Sequence, residues 1–232
     1  MPNAAEAGLR REIVEIARCM SLEGLSPVRS GNVSARFSDG MLITPTAMAY
    51  SVMTADDVVF IDAEGAPQRG GRAPSSEWHF HLAIYGAKAE ARAVVHCHST
   101  SATALACARK SIPAFHYMVA VAGGQDIPLA PYATFGTPEL AQAVVATLKD
   151  RRACLLANHG QIAFGETLEA TLDLAREVEA LAAQYIAVLQ LGAVHILDDE
   201  EMGIVLAKFE TYGQQLVLPK PQRPARAKVR PS

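Results

Sequence analysis

The 232-residue chain lacks three features that define large classes of protein. No apolar run approaches the roughly 18 residues that a membrane helix needs, so we expect no membrane partner. The formal net charge of −3 argues against binding nucleic acid through bulk positive charge. The N-terminus has no basic segment followed by an apolar one, which a secretory signal would show. We therefore expect a cytoplasmic protein.

Paired cysteines and nucleotide-binding glycine motifs are also missing. The four cysteines are isolated in the sequence, unlike those of a disulfide scaffold or a cysteine zinc site, so we expect reduced thiols. Neither the phosphate loop of nucleoside triphosphatases nor the glycine fingerprint of dinucleotide-binding folds occurs.

The chain is rich in apolar residues, since half of its residues are hydrophobic and 19% are charged. That composition favours a folded protein with a large core. The charge is unevenly distributed along the chain. Residues 219–232 contain five basic side chains, four prolines and no acidic side chain. Subtracting those five charges from −3 leaves −8 for the remainder. We predict one domain over residues 1–218 and an extended, solvated tail over residues 219–232.

Hydrophobic periodicity predicts helices and short strands that mix without a strict alternation. The predicted helices cover residues 5–23, 75–88, 99–108, 117–121, 137–148, 167–190 and 198–210. The predicted strands cover residues 33–37, 41–44, 58–62, 93–97, 153–157 and 161–164. Ser75 or Ser76 is expected to cap the second helix, with Glu77 in its first turn. The order favours a single α/β domain with a mixed or antiparallel sheet and helices on its faces.

The histidines carry the strongest chemical signal. His96 and His98 end an apolar strand, where residues two apart point to the same face. His159 follows another apolar strand and precedes Gly160, which permits a tight turn. Three imidazoles at strand ends fit a zinc site with an open position, and Glu77 is the best-placed carboxylate for a fourth ligand or a base. The alternative is a set of hydrogen-bonded structural histidines.

Other polar residues support weaker hypotheses. His79 and His81 fall on different faces of the predicted helix and are interpreted as packing or surface groups. Small hydroxyl-bearing segments occur at residues 31–34, 44–46 and 75–76. The last of these lies at a helix N-terminus, which favours a phosphate, although ordinary turns and caps would use the same residue types.

Taken in order, the motifs resemble those of the class II aldolase/adducin family. The segments that carry the resemblance are residues 31–36, 42–46, 75–78, 94–98, 111–118, 130–137, 158–160 and 208–213. The resemblance implies a three-layer domain with a mostly antiparallel central sheet between helices. It also implies a homotetramer with active sites at subunit interfaces.

The resemblance further implies roles for particular residues. One zinc ion per subunit would be bound by His96, His98 and His159, with Glu77 completing the resting site and serving as the acid/base. The phosphate-binding positions would be Gly31, Asn32, Thr46, Ala47, Ser75 and Ser76. The aromatic positions beside the aldehyde would be Tyr117, Phe135 and Tyr212, the last acting near a neighbouring subunit's zinc. Ala47 stands where a member of the family has glycine, and a positive φ at this position would strain an alanine.

The implied reaction is cleavage of a ketose 1-phosphate, such as L-fuculose 1-phosphate, into glycerone phosphate and an aldehyde, in carbohydrate metabolism. Within the family the alternatives are a 5-deoxypentulose-1-phosphate aldolase, a sugar-acid-phosphate decarboxylase and a pentulose-5-phosphate 4-epimerase. An adducin-like interaction module is disfavoured because all three zinc histidines are kept.

Overall fold

The computed structural model describes residues 4–68 and 71–210. Its strands are β1 Asn32–Phe37, β2 Gly40–Ile43, β3 Val59–Ile61, β4 Ala93–Cys97, β5 Leu129–Ala130, β6 Ala153–Leu156 and β7 Gly160–Gly165. Its α-helices are α1 Ala4–Leu22, α2 Trp78–Ala87, α3 Thr100–Cys107, α4 Pro138–Thr147, α5 Leu168–Leu191 and α6 Asp199–Phe209. Short 3-10 helices cover Ala55–Asp57 and Tyr117–Ala122. No described helix is both long enough and apolar enough to span a membrane.

The seven strands form one sheet in the order β3-β2-β1-β4-β7-β6-β5. Every pairing between the described strands is antiparallel except that of β5 with β6, which is parallel. The prediction of a mixed, mostly antiparallel sheet therefore agrees with the structure. Strand β5 was not predicted, because two residues are too few to produce a periodic pattern.

Helices pack on both faces of the sheet, and strand β4 shows how its residues are divided. Ala93, Val95 and Cys97 belong to the core shared with α1, α3 and α5. Val94 points the other way, into the core shared with α2 and α4, and His96 lies on that side against Phe80. The alternation of side chains along a strand thus places a polar ring on the α2 face of the central strand.

One sequence prediction about a helix end was wrong. Helix α2 begins at Trp78 with Glu77 as its N-cap, so neither Ser75 nor Ser76 caps it. The backbone N–H of Ser75 donates instead to the carbonyl of Thr44, which ties this segment to the end of β2. Glu77 consequently lies at the helix start, where the sheet ends. The predicted tail and Tyr212 lie outside the described residues, and the domain boundary at residue 218 stays a prediction.

Candidate metal centre

Four side chains converge where the central strands end. Glu77 precedes α2, His96 is on β4, His98 follows β4 directly, and His159 lies in the turn between β6 and β7. One ligand atom from each lies within 4.8 Å of all the others. These are the four residues that the sequence motifs singled out for a metal.

The register of the sheet explains why residues so far apart in sequence meet. Strands β4 and β7 pair with His96 opposite Ile162, so the turn before β7 lies beside the end of β4. Gly160 makes this approach possible, since a Cβ there would lie 2.5 Å from the carbonyl oxygen of Cys97 and 3.0 Å from the His98 ring. Asn158 has a φ of +53°, a left-handed conformation that asparagine tolerates better than most residues.

The four ligand atoms suit a cation, because their lone pairs lie close together and are not all used in hydrogen bonds. The Nδ1–H of His96 donates to the carbonyl of Gln161 at 2.8 Å, so in the neutral ring Nε2 carries a lone pair. That Nε2 lies 3.0 Å from Nε2 of His98. Glu77 Oε1 is buried 3.0 Å from His159 Nε2 and has no hydrogen-bond partner among the described residues. A tetrahedral zinc ion separates its ligand atoms by about 3.4 Å, close to these spacings.

The electrostatics of the cluster favour an ionised Glu77 beside neutral rings at His98 and His159. Burial acts to raise the pKa of Glu77, but the neighbouring His96 and His159 outweigh it and hold that pKa well below its usual range. Burial, together with the two adjacent imidazoles, lowers the pKa of His98 to about 3. Burial also lowers the pKa of His159. At neutral pH Glu77, His98 and His159 can therefore each donate an electron pair to a metal.

A cavity of about 230 Å³ opens onto this cluster. Its wall includes Tyr132 and Phe135, whose side chains are 56% and 64% exposed. Phe135 thus lies in the wall of the cavity that opens onto the four-residue cluster. Tyr117 is not among the described residues that line this cavity. Its ring stacks on His116 instead.

The predicted phosphate-binding segments also meet beside the cluster. Residues 44–46 and 73–75 are joined by backbone hydrogen bonds, from Ser75 N–H to Thr44 and from Thr46 N–H to Ala73. Thr46, Ala47 and Ser76 are exposed at this junction, whereas Ser75 is buried. Gly31 precedes Asn32, whose Nδ2 lies 3.0 Å from Ser75 Oγ. Its φ is +87°, and a Cβ there would clash with the carbonyl oxygen of His96.

Among the described residues, the Ser75 hydroxyl has a proton that no hydrogen bond uses. Its oxygen accepts from Nδ2 of Asn32 at 3.0 Å and from the backbone N–H of Glu77 at 3.3 Å. A serine hydroxyl has two acceptor positions and one donor, so only the proton remains. That proton suits an anionic oxygen.

Comparison with known proteins identifies the fold. The family model described as Class II Aldolase and Adducin N-terminal domain matches residues 11–186. The chain belongs to this family.

Two curated relatives are equally similar to the chain and differ in their named substrates. A 5-methylthioribulose-1-phosphate/5-deoxyribulose-1-phosphate aldolase of Rhodospirillum rubrum is 49% identical, over 95% of this chain and 99% of the relative. An L-fuculose phosphate aldolase of Escherichia coli is also 49% identical, over 90% of this chain and 97% of the relative. A solved L-fuculose 1-phosphate aldolase superimposes with a TM-score of 0.85 at 36% identity, covering 90% of this chain and 98% of that one.

The candidate metal cluster is surrounded by polar residues that the sequence did not reveal. His81 was interpreted as a packing or surface group, and it is a fully buried packing group. The sequence did not predict that its ring is also hydrogen-bonded on both sides. His79 does lie on a different face of α2 and stacks on Trp78. A polar residue on the buried face of a helix was the available signal for His81.

Ala47 has the positive φ that the sequence comparison identified as a source of strain, at +54°. We expect Ala47→Gly to relieve about 1–2 kcal/mol of left-handed strain and to lose about 0.4–1 kcal/mol through greater unfolded-state entropy. The net result is a stabilisation of about 0.5–1 kcal/mol, measured by denaturant unfolding. Ala49→Gly is the control, since the φ of Ala49 is not positive and only the entropic loss applies. A destabilised Ala47→Gly protein would contradict the strain.

Acid should destabilise the protein through His81. Burial, aided by His96, lowers the pKa of His81 from 6.5 to about 3. Between these two pH values His81 carries a proton in the unfolded chain but not in the folded protein. The His81 contribution to stability is therefore complete above pH 6.5 and falls as the pH drops towards 3, by about 2 kcal/mol at pH 5. Unfolding of metal-free wild type and His81→Gln at pH 7.5 and 5 measures this. The stability difference between the two proteins should change by that amount, and a constant difference would refute it.

Proposed function

We propose that the chain is a zinc-dependent aldolase that cleaves a ketose 1-phosphate into glycerone phosphate and an aldehyde. The observation that carries this proposal is the convergence of Glu77 with three histidines beside a segment that offers hydroxyl and backbone donors. A lone metal cluster would suit many reactions, but a metal next to an anion site matches a phosphorylated substrate. Membership of the family supports the same chemistry.

In this proposal His96, His98 and His159 bind the zinc ion, with Glu77 as the fourth ligand of the resting site. Bound zinc supplies Lewis-acid stabilisation for negative charge that develops at the substrate carbonyl. The His96 ring is held for this task by its hydrogen bond to Gln161. Second-sphere bonds of this kind fix the tautomer and orientation of a metal-binding imidazole.

The proton transfers fall to the side chains. Cleavage breaks the bond between C3 and C4, and the C4 hydroxyl proton leaves as the aldehyde forms. The electron pair of that bond passes to the C2 carbonyl. The Glu77 carboxylate takes up a proton equivalent to the one that the C4 hydroxyl releases, and delivers it to C3 to give glycerone phosphate. Tyr117 or Tyr212 exchanges the proton on the aldehyde oxygen, and Phe135 positions the aldehyde.

The phosphate is held by neutral donors in this scheme. Ser75 gives the hydroxyl proton described above, and the backbone N–H groups and hydroxyls of the neighbouring loops complete the set. The residues proposed for this role are Gly31, Asn32, Thr46, Ala47, Ser75 and Ser76. Binding the phosphate, which does not react, orients the reacting end of the sugar.

The sugar itself is proposed from the relatives. L-fuculose 1-phosphate leads, because a relative with 49% identity and a solved structure with a TM-score of 0.85 are both named for it. A 5-deoxypentulose 1-phosphate is the second candidate, because a relative named for 5-deoxyribulose 1-phosphate is as similar as the fuculose enzyme.

We also propose a homotetramer with active sites between subunits. The cavity wall is open in a single chain, since Phe135 and Tyr132 are more than half exposed. A neighbouring subunit that covers this wall and contributes Tyr212 would complete the site.

A substrate panel tests the function. The zinc-loaded protein is offered L-fuculose 1-phosphate, 5-deoxyribulose 1-phosphate, 5-methylthioribulose 1-phosphate, a phosphorylated sugar acid and a pentulose 5-phosphate. We expect aldehyde and glycerone phosphate in equal amounts from a ketose 1-phosphate. Release of carbon dioxide from the sugar acid, or epimerisation without cleavage, would replace the aldolase proposal with the corresponding family alternative.

A further inference from the structure

A continuous line of buried side chains leads from the interior of the protein to Glu77. The hydroxyl of Tyr85 lies 2.8 Å from Ser34 Oγ, which lies 2.7 Å from Nδ1 of His81. Nε2 of the same ring contacts Oδ1 of Asn32. Nδ2 of Asn32 lies 3.0 Å from Oε2 of Glu77.

The carboxylate sets the direction of every hydrogen bond in this line. An ionised Glu77 can only accept, so the NH2 end of Asn32 must face it and the amide oxygen must face His81. Nε2 of His81 therefore carries the proton and donates to Asn32. Its Nδ1 then accepts from Ser34, whose oxygen in turn accepts from Tyr85.

The line crosses a part of the molecule that is otherwise apolar. Ser34 and His81 are fully buried, and Asn32 and Tyr85 are no more than 4% exposed. Apolar residues surround them, among them Phe80, Ile84 and Val94. Polar groups in such surroundings hold one arrangement firmly, because each alternative leaves a donor or acceptor unmatched.

Asn32 stands between the two halves of the proposed site. One proton of its NH2 group goes to Glu77, and the other goes to Ser75 Oγ at 3.0 Å. If the amide turned over, its oxygen would face the carboxylate and the bond to Glu77 would be lost. Ser75 could then bond to Asn32 only by donating the hydroxyl proton that the proposed function assigns to the phosphate. The orientation of this one amide therefore affects both the acid/base and the phosphate contact.

We propose that His81, Ser34 and Tyr85 are positioning residues that hold the Asn32 amide in one orientation, with its NH2 group directed at Glu77 and Ser75. The assignment rests on the proposed function for the roles of Glu77 and Ser75. It adds three residues, none of which touches the substrate, to the machinery of the site.

The first test is spectroscopic and does not depend on activity. Nitrogen-15 NMR of histidine-labelled, zinc-loaded protein reports which ring nitrogen carries the proton. We expect His81, assigned through the loss of its signals in His81→Gln, to be neutral and protonated at Nε2. A ring protonated at Nδ1 alone would reverse the hydrogen-bond directions and overturn the proposal.

The second test separates positioning from general packing. We expect His81→Leu to lower kcat by about tenfold or more, with bound zinc unchanged and KM altered by less than about threefold. His81→Gln keeps an amide N–H near the position of Nε2 and should recover kcat to within about threefold of wild type. Tyr85→Phe, which loses only a hydroxyl, should lower kcat without changing metal content.

The control is Tyr185→Phe, a buried tyrosine that packs on Phe115 outside this line. It should leave kcat unchanged. Wild-type kcat in both His81→Leu and Tyr85→Phe would overturn the proposal, as would equal losses in Tyr85→Phe and the control. A wild-type protein with no aldolase activity would refute the proposed function instead, and the NMR result would still decide the orientation of Asn32.

Discussion

Cleavage of the ketose 1-phosphate should fall by about a thousandfold or more when the protein is dialysed against a strong zinc chelator, because the Lewis acid supplies several kcal/mol of transition-state stabilisation. The four candidate ligands are three imidazoles and one carboxylate, which are ligand types that zinc accepts. Activity and bound metal are measured together after chelation. Restoration by zinc at one equivalent per chain is the expected result.

Removing one ligand should reproduce the effect of the chelator. His159→Ala leaves two imidazoles and the carboxylate, so we expect zinc content and activity to fall together. The control is His195→Ala, which makes the same change at an exposed histidine outside the cluster and should affect neither. Full activity in the metal-free protein, or in a His159→Ala protein without bound zinc, would refute the proposed zinc-dependent mechanism.

Glu77→Gln should separate metal binding from proton transfer. The amide has the shape of the carboxylate, and three imidazoles remain, so we expect zinc to be retained. Glutamine cannot accept the proton from C3, so exchange of that proton should fall by about 100-fold to 10,000-fold. The measurement is proton NMR of glycerone phosphate in deuterated water, where the C3 signal disappears as exchange proceeds.

Glu90→Gln is the matched control for this experiment, since Glu90 is an exposed glutamate just before β4. Its exchange rate should equal that of wild type. Undiminished exchange in Glu77→Gln would remove Glu77 from its proposed role, whereas loss of zinc would show that its main contribution is to metal binding.

The sequence predicted the parts of this site that depend on local periodicity. Strand β4 was predicted with its observed bounds, and strand alternation correctly placed His96 and His98 on one side. The apolar run before His159 predicted β6, and Gly160 indicated the turn. Both signals lie within a few residues of the side chains that they position.

The rest of the site depends on contacts between distant residues, which no local pattern encodes. Asn32 reaches Glu77 only because β1 pairs with β4 and α2 packs on the same face. The wrong cap at Ser75 has the same origin, since its backbone bond to Thr44 comes from a segment 31 residues earlier. Helical spacing predicted that His81 and His79 lie on different faces of α2. It could not predict which residues of other elements contact His81.

The division of β4 between two cores also has a consequence for redox chemistry. Cys97 lies between two of the proposed zinc ligands in sequence, yet its thiol points to the opposite face of the sheet and is fully buried. Burial raises the pKa of this thiol to about 12, so it carries almost no reactive thiolate at neutral pH. Peroxide and alkylating agents react with thiolates, so we expect Cys97 to resist them and the neighbouring zinc ligands to stay undisturbed. The imidazole and carboxylate ligands themselves contain no sulfur that could be oxidised.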